Sequence, residues 1–531
     1  MLNCPMKKYV FKRILAALFA LLVVVSVVML LVYQAIDRNK IFQQDDVWNK
    51  RSNNDQRMYE YAQYQKFGYL NYVDYGSFLK QKYQAEFGDG YDKLESFATD
   101  RKVIQKPDEY RNNPTVQEFI KTYEEKGFEI KYLEPVKSKS GKVKKGGDAY
   151  LVAVEEKSTL NRLWNYVTGF ISVETTSDVE DPNLEDRYIR FEKDPYSGLF
   201  AVVGSGTTHK YLLYFDGSFP FIHQNWLHLN LGTSYTTYRG QEITEVITTP
   251  TGDLKNSKVQ FPNQLGTGEY TSTAFDLYSR SYNPAATDAE IQQFGDRYTT
   301  CTMNRDGLSP VAVSFTVGIL GTILAYLVGI PAGILVARRK DKLADKIGNV
   351  YIIFVMAVPY LAYMFIVAAI GTQVFGLPYK FATAKTFALA LILPVISMAV
   401  RGIGSLMKWV RRYMIDEMNA DYVKFARAEG MSDKEIYRTH ISRNAMIRIV
   451  HGLPGEVILA LTGSIVVERI YGIPGVGQLL TNALTKQDNG VVVAAVVIYT
   501  SLGLLSQLLG DLLLIKYDPR ISLTSEGGGG R

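Results

Sequence analysis

The sequence predicts an all-α polytopic membrane domain of six helices, with a large α+β block between the first and second helices. Three observations favour this fold class. Apolar runs fill the N-terminus and the chain after residue 308, residues 37–307 between them are polar, and basic residues crowd alternate loops. The mean hydropathy of −0.04 hides this division because it averages unlike segments. At 531 residues the chain exceeds one ordinary domain.

The first span is predicted at Ile14 to Ile36, an apolar run without charged residues that follows a basic flank. A hydrocarbon core about 30 Å thick requires roughly 20 such residues in a helix. A cleaved signal peptide is the alternative. The run is longer than a usual signal core and no clear small-residue cleavage site follows it, which favours an uncleaved helix.

Five later runs have the apolar character of a span, although the fourth of them is short. They are Pro310–Ala337, Val350–Val374, Phe387–Leu406, Gly452–Val467 and Val491–Ile515. Prolines within these runs predict kinks, and Gly329 with Gly333 forms a small-xxx-small pair suited to close helix contact. The sequence also departs from ion-coupled carriers, because no ionisable residue lies at the middle of a span.

The orientation follows from the basic residues, which concentrate after the second, fourth and sixth spans. Both termini are then cytoplasmic, and the predicted divisions are 1–36, 37–307, 308–517 and 518–531, with residues 37–307 outside the cell. The net charge of +6 is better explained by this rule than by nucleic-acid binding. Cys4 and Cys301 fall on opposite sides of the membrane and cannot pair with each other.

The outer block mixes helical and strand signals. Met58 to Leu79 has a helical aromatic spacing, and strands are predicted at Tyr211–Phe215, Glu242–Thr249 and around Val259, with a turn at Asp216-Gly217. The lysine cluster at 137–145 predicts a solvated loop tip, with a docking patch as the alternative.

Catalytic and metal-binding signals are weak. His209, His223 and His228 all lie in the outer block, but their spacing shows no convergence, so no metal site is predicted. The sequence has no HExxH, GxSxG or CxxC motif and no phosphate-binding GxxxxGK[ST] loop. We therefore expect a chain that is not an enzyme and whose energy source belongs to another polypeptide.

The most informative stretch is the charged segment from Asp421 to Glu435. Gly430 is suited to end a helix in the left-handed conformation. Ser432 and Glu435 have the spacing of a capping box that starts a second helix. The sequence therefore predicts a helix, a sharp break and another helix at the membrane surface.

Residues Asp421 to Asn444 resemble the EAA loop of bacterial ABC importer permeases, most closely the first permease subunit of the oligopeptide and dipeptide family. Three other motifs agree in order with that family: Asn230 to Tyr235, Val467 to Gly477, and the Asp-Pro-Arg at 518–520. The large outer insertion resembles the Ami-type peptide importers of Gram-positive bacteria. Two departures are Lys424-Phe425-Ala426 in place of Glu-Ala-Ala, and Arg448 where relatives often have proline.

The resemblance implies a type I ABC importer permease in the cell membrane. Its partners would be a second permease, two ATPases that bind ATP and Mg²⁺, and a lipid-anchored peptide receptor; the chain itself would hold no cofactor. The residues implied to couple it to an ATPase are Asp421, Tyr422, Ala426, Arg427, Ala428, Glu429, Gly430, Ser432 and Glu435. The alternatives left open are a permease for nickel or sugar, and a membrane receptor with an outer sensing domain.

Overall fold

A computed structural model of the chain describes residues 4–35, 38–42, 45–88, 90–181, 184, 186–193, 200–215, 222–238, 240–253, 257–260, 270–273, 281–284, 286–288, 291, 297, 307–460 and 464–517. Cys301, the predicted turn at 216–217 and the motif at 518–520 lie outside these residues.

The outer block holds seven short helices and eleven strands among the described residues. Its helices after α1 (Cys4–Ala35) are α2 (Asp46–Asn49), α3 (Asn53–Lys66), α4 (Tyr75–Phe87), α5 (Glu95–Val103), α6 (Pro114–Glu124), α7 (Thr159–Thr168) and α8 (Ile243–Thr248). Its strands are β1 (Leu70–Asp74), β2 (Glu129–Leu133), β3 (Tyr150–Glu156), β4 (Ile171–Val173), β5 (Ile189–Lys193), β6 (Phe200–Gly204), β7 (Tyr211–Phe215), β8 (Ile222–Gln224), β9 (Leu227–Leu229), β10 (Ser257–Gln260) and β11 (Tyr270–Thr273).

The first sheet is antiparallel in the order β1-β3-β2 and is covered on both faces. Successive residues of a strand point to opposite faces. Accordingly, Leu151 and Ala153 pack with α4 and α6, whereas Val152 and Val154 pack with α3. A second sheet runs β5-β6-β7-β8, and β4 pairs with β9 in a separate ribbon. This arrangement confirms an α+β block.

Two details of the predicted outer block are corrected. The strand predicted at Glu242–Thr249 is wrong, since Ile243 to Thr248 form α8. Its β-branched composition suggested a strand, but Ile243 and Ile247, one helical turn apart, both lie in the core shared with α1. Met58–Leu79 is not one helix: Gly68, at φ +72°, separates α3 from β1.

The apolar part of the chain is helical. It comprises α9 (Pro310–Arg338), α10 (Leu343–Ala357), α11 (Tyr360–Gln373), α12 (Phe387–Met418), α13 (Asp421–Ala428), α14 (Asp433–Ile436), α15 (Arg443–Ala460), α16 (Ile465–Tyr471), α17 (Val476–Thr485) and α18 (Asn489–Tyr517). Among the described residues, α1, α9, α12 and α18 are long and apolar enough to cross a membrane. The predicted count of six spans is therefore not confirmed.

The third predicted span, Val350–Val374, is not one straight helix. The helices α10 and α11 meet at an angle of 112° beside Pro359. Proline lacks the N–H that would continue a helix, and it forces Val358 into an extended conformation, at ψ 133°. With 15 and 14 residues the two halves are about 22 and 21 Å long, shorter than the hydrocarbon core.

The pair α9 and α12 forms the centre of the bundle through small residues. A Cβ placed on Gly329 would lie 2.9 Å from Leu406 Cβ, and one on Gly333 would lie 2.8 Å from Val410 Cβ. These distances are shorter than van der Waals contact, so only glycine permits the observed helix separation. The prediction of close contact at this pair is confirmed.

Candidate functional site: the 421–436 segment and the adjoining cavity

The segment folds as the local signals predict. The N–H of Gly430 donates to Arg427 O at 3.1 Å, and that of Met431 donates to Ala426 O at 3.2 Å, the bond pair of a Schellman ending. Gly430 has φ +85°, which non-glycine residues rarely adopt. Ser432 Oγ then accepts from Glu435 N at 3.3 Å and caps α14. The predicted helix, break and second helix are thus confirmed.

The inner face of the segment is built into the bundle. Val423 and Ala426 of α13 and Ile436 of α14 are buried against residues of α9, α12 and α15, among them Val410. Ala426 therefore faces the chain's own core, so it is placed for packing within the bundle rather than for contact outside it. A small side chain at this position lets α13 lie close to α12.

Tyr422 fastens the segment through a polar network. Its hydroxyl donates to the carboxylate of Glu417, at the end of α12, and accepts from Asn444 Nδ2 of α15 at 3.0 Å. Arg448 of α15 donates to the same Glu417 at 3.3 Å. The network therefore joins α12, α13 and α15 at this point.

The outer face of the segment is polar around one aromatic side chain. Asp421 is paired with Lys424 at 2.8 Å, and Arg427 lies 3.6 Å from Asp433. Between them Phe425 leaves 66% of its surface exposed. The other predicted residues on this outer side are Ala428, Glu429, Gly430, Ser432 and Glu435, all of them exposed.

The exposure of Phe425 was not predicted as a feature of the site. The signal was present, since Phe425 is the one large apolar residue of α13 that does not fall on the Val423–Ala426 face. Phe425 is therefore a large apolar side chain exposed on the otherwise polar outer face of α13.

A cavity of about 470 Å³ lies between α9, α12 and α15, three helices that α13 also contacts. Its lining mixes small residues such as Gly321 and Gly402 with charged and aromatic residues, which are Arg401, Arg448, Glu456, Tyr326, Tyr360, Trp409 and Tyr413. Arg401 lies over the Tyr360 ring at 5.3 Å, and Arg448 lies over the Tyr413 ring at 5.2 Å. Such a lining binds polar and apolar groups alike.

The Val467–Gly477 motif encloses a buried carboxylate. Glu468 accepts from Ser314 Oγ at 2.8 Å and from Gln478 N at 3.1 Å, and Ser314 Oγ also accepts from Val476 N at 2.9 Å. A Cβ on Gly477 would lie 2.7 Å from Ile465 Cα, so this glycine allows the chain to fold around the carboxylate. The motif therefore locks α16 and α17 onto α9.

The Asn230–Tyr235 motif attaches the outer block to the bundle. Asp488, just before α18, accepts from Ser234 Oγ at 2.7 Å and from the N–H groups of Tyr235, Thr236 and Thr237 at 3.0–3.2 Å. Both Ser234 and Asp488 are fully buried. This motif and Asp488, which lie far apart in the sequence, thus form one structural joint.

These features define a helical, polytopic membrane component that exposes one polar helix face around Phe425. Residues 329–522 match the model for the inner membrane component of binding-protein-dependent transport systems. Over 533 residues the chain is 34% identical to the oligopeptide transport system permease protein AmiC of Streptococcus pneumoniae, covering 98% of this chain and all of AmiC.

Two further relatives match less than half of this chain. The chain is 29% identical to the dipeptide transport system permease protein DppB of Bacillus subtilis, over 40% of this chain and 69% of DppB. It is 31% identical to the inner membrane ABC transporter permease protein YejB of Escherichia coli O157:H7, over 43% of this chain and 67% of YejB. The chain belongs to the family of ABC importer permeases, as its motifs indicate; it is a multi-pass membrane transporter subunit and not itself an enzyme.

Proposed function

We propose that the chain imports oligopeptides as one of two permease subunits in an ATP-driven complex. One observation carries the cargo assignment: the likeness to AmiC extends over 98% of this chain and therefore includes the outer block. The matches to DppB and YejB cover less than half of the chain. The remaining partners are a second homologous permease, two ATPases and an extracellular lipid-anchored peptide-binding protein.

The cavity between α9, α12 and α15 is half of the translocation path in this proposal. The second permease would supply the other half. A peptide carries a positive and a negative terminus and many amide groups, and the cavity offers Arg401, Glu456 and aromatic rings to them. Because this lining mixes charged, aromatic and small residues, a channel of this kind suits cargo of varied sequence.

The coupling surface is the outer face of α13 around Phe425. In this proposal it lies in a groove of one ATPase, which binds the ATP and Mg²⁺ that this chain does not. The buried side of α13 contacts α9, α12 and α15, three helices that enclose the cavity. If the ATPase displaced α13, the helices that line the translocation path would be displaced with it.

The proposed orientation places both termini and α13 in the cytoplasm and residues 37–307 outside the cell. The basic residues near the ends of α9 and α12 support it by the positive-inside rule. The domain divisions are those predicted from the sequence, with six spans in total, and the likeness to AmiC supports a Gram-positive cell membrane.

Peptide uptake by the whole complex tests the proposal. We would compare wild type, Phe425→Glu and Phe87→Glu, because Phe87 is similarly exposed but lies in the outer block. Uptake of a labelled pentapeptide and peptide-stimulated ATP hydrolysis should fall at least about tenfold for Phe425→Glu only, the scale of one interface anchor. Equal activity of both variants would contradict the coupling surface, and no uptake by wild type would contradict the cargo.

A further inference from the structure

The outer block brings together two imidazoles and one carboxylate from three separate stretches of chain. Glu174 follows β4, His209 lies in the loop between β6 and β7, and His228 lies in β9. His228 Nε2 is 2.8 Å from Glu174 Oε1, and His209 Nδ1 contacts the same oxygen. One ligand atom from each residue lies within 4.8 Å of the other two.

The cluster is held by the backbone around it. β4 pairs with β9 so that Ser172 lies opposite His228, and Glu174 N donates to Trp226 O at 2.9 Å. His209 N donates to Glu174 Oε2 at 2.9 Å, which orients the carboxylate and leaves Oε1 toward both rings. The two rings stack with centroids 5.1 Å apart. Strand pairing and backbone hydrogen bonds between distant parts of the chain therefore fix the positions of the three side chains.

The chemistry of the set matches a borderline transition metal. Imidazole nitrogen and carboxylate oxygen are the donors that Zn²⁺ accepts at 2.0–2.2 Å, and tetrahedral geometry separates such donors by roughly 3.4 Å. His228 Nε2 and Glu174 Oε1 are 2.8 Å apart in their hydrogen bond, so a metal would replace the shared proton and move the donors slightly apart. The Glu174 side chain is 5% exposed, whereas those of His209 and His228 are 23% and 38% exposed. A metal here would keep one position open to water or to a fourth ligand.

We propose that Glu174, His209 and His228 form a zinc site in the outer block. The site would tie the β6–β7 loop, which belongs to the second sheet, to the β4–β9 ribbon. β9 continues directly into the Asn230–Tyr235 motif that is bonded to Asp488, so the tie would stiffen the joint between the outer block and the bundle. This inference does not depend on the cargo.

Zinc binding by the full-length chain, purified in detergent and stripped with EDTA, tests the site. We would measure Zn²⁺ stoichiometry by competition with a chromophoric chelator, and Co²⁺ coordination by visible absorption. The variants are Glu174→Gln, His209→Gln and His228→Gln, which retain hydrogen-bonding capacity. His223→Gln is the matched control, since His223 stacks on Tyr214 at 5.0 Å outside the cluster.

Wild type and His223→Gln should each bind one Zn²⁺, show a tetrahedral Co²⁺ spectrum and unfold at a higher temperature with Zn²⁺ than without it. Each cluster variant should bind Zn²⁺ at least about a hundredfold more weakly, since loss of a direct ligand exceeds the loss of an outer-shell partner. Metal-free melting temperatures show that each variant is folded. Wild type that binds no Zn²⁺, or cluster variants that bind it as wild type does, would overturn the site.

Discussion

Ser234 and Asp488 are 254 positions apart in the chain, and Ser234 Oγ donates a 2.7 Å hydrogen bond to the Asp488 carboxylate. The same carboxylate accepts from the N–H groups of Tyr235, Thr236 and Thr237. It also accepts from Val491 N at 3.3 Å, in the first turn of α18. A buried carboxylate is stable only with such donors, so Asp488 depends on the outer segment as much as the segment depends on it.

Asp488→Ala should lower the free energy of unfolding by about 3 kcal/mol or more, because it leaves several buried donors without an acceptor. Thermal unfolding of the purified chain measures the effect. Asp253→Ala is the control, because Asp253 is exposed. Similar losses in both variants would show that the joint does not stabilise the fold.

Gly430→Val should weaken the stimulation of ATP hydrolysis by peptide. A Cβ at this position meets nothing within 4 Å, so the cost comes from the backbone at φ +85°. A left-handed conformation costs about 1–2 kcal/mol for most residues and more for a β-branched one. We expect peptide-stimulated ATP hydrolysis to fall about fivefold or more.

Two variants sharpen the test of Gly430. Gly430→Asn should retain most activity because asparagine tolerates the left-handed region. Gly376→Val imposes a similar strain, at φ +64° and with nothing within 4 Å, but in the loop after α11. A matching loss in Gly376→Val would mean that general instability, and not the break after α13, causes the defect.

Gly333→Leu should separate α9 from α12. Its Cβ would lie 2.8 Å from Val410 Cβ and 3.2 Å from Met407 Cα. Overpacking of this kind costs about 1–3 kcal/mol, which a fall in melting temperature would report. Gly503→Leu in α18 is the matched control, since its Cβ meets nothing within 4 Å. No difference between the two would rule out the close contact.

Arg411→Ala should destabilise the start of α10 strongly. Arg411 holds Asp345 by two hydrogen bonds of 2.7 and 3.0 Å, and the Asp345 side chain is 4% exposed. Removing one partner of a buried pair costs about 3–5 kcal/mol. Arg412→Ala, at an exposed position, should cost little, and Asp345→Asn should partly rescue Arg411→Ala in unfolding experiments. Absence of that rescue would contradict the pairing.

The metal-free outer block should lose stability as pH rises above neutrality. The hydrogen bond to Glu174 raises the pKa of His228 above 6.5, against the effect of burial. Burial alone would raise the pKa of Glu174, but hydrogen bonds from His209 and His228 bring it to about 2. Nearby Glu242 also favours the charged imidazole.

The raised pKa of His228 and the lowered pKa of Glu174 affect stability in different pH ranges. A raised histidine pKa stabilises the fold below about pH 6.5, and this contribution disappears as pH rises through the raised value. The lowered Glu174 pKa contributes above about pH 4.5 and is lost as pH falls toward 2. In EDTA, the melting-temperature advantage of wild type over Glu174→Gln should be larger near about pH 6 than near about pH 8. The opposite trend would contradict the ion pair.

Short-range signals explain what could be predicted from the sequence. The break at Gly430 and the cap at Ser432 depend on a few neighbouring residues, and both are present. The glycine pair at 329 and 333 depends on one helix face only. Patterns of this kind need no knowledge of the rest of the fold, which is why they were predictable.

The features that could not be predicted from the sequence depend on contacts between distant parts of the chain. The exposure of Phe425 depends on which face of α13 the bundle covers. A kink at Pro359 was predictable, but its angle of 112° was not, because hydropathy carries no information on direction. Glu174, His209 and His228 meet only after β4 has paired with β9, so their numbering gave no sign of convergence. The strand predicted at Glu242–Thr249 is a helix because burial, not β-propensity, decides there.

The joint at Asp488 also has a consequence for biosynthesis. Residues 234–237 leave the ribosome about 250 residues before the acceptor that binds them. At about 5–20 residues per second, this delay is roughly 13 to 50 s. During that interval the hydrogen-bond donors of residues 234–237 lack their acceptor, and Leu231 and Ile243 lack their contacts with α18. The nascent chain is therefore open to proteolysis and misassembly at this segment until Asp488 and α18 have been made.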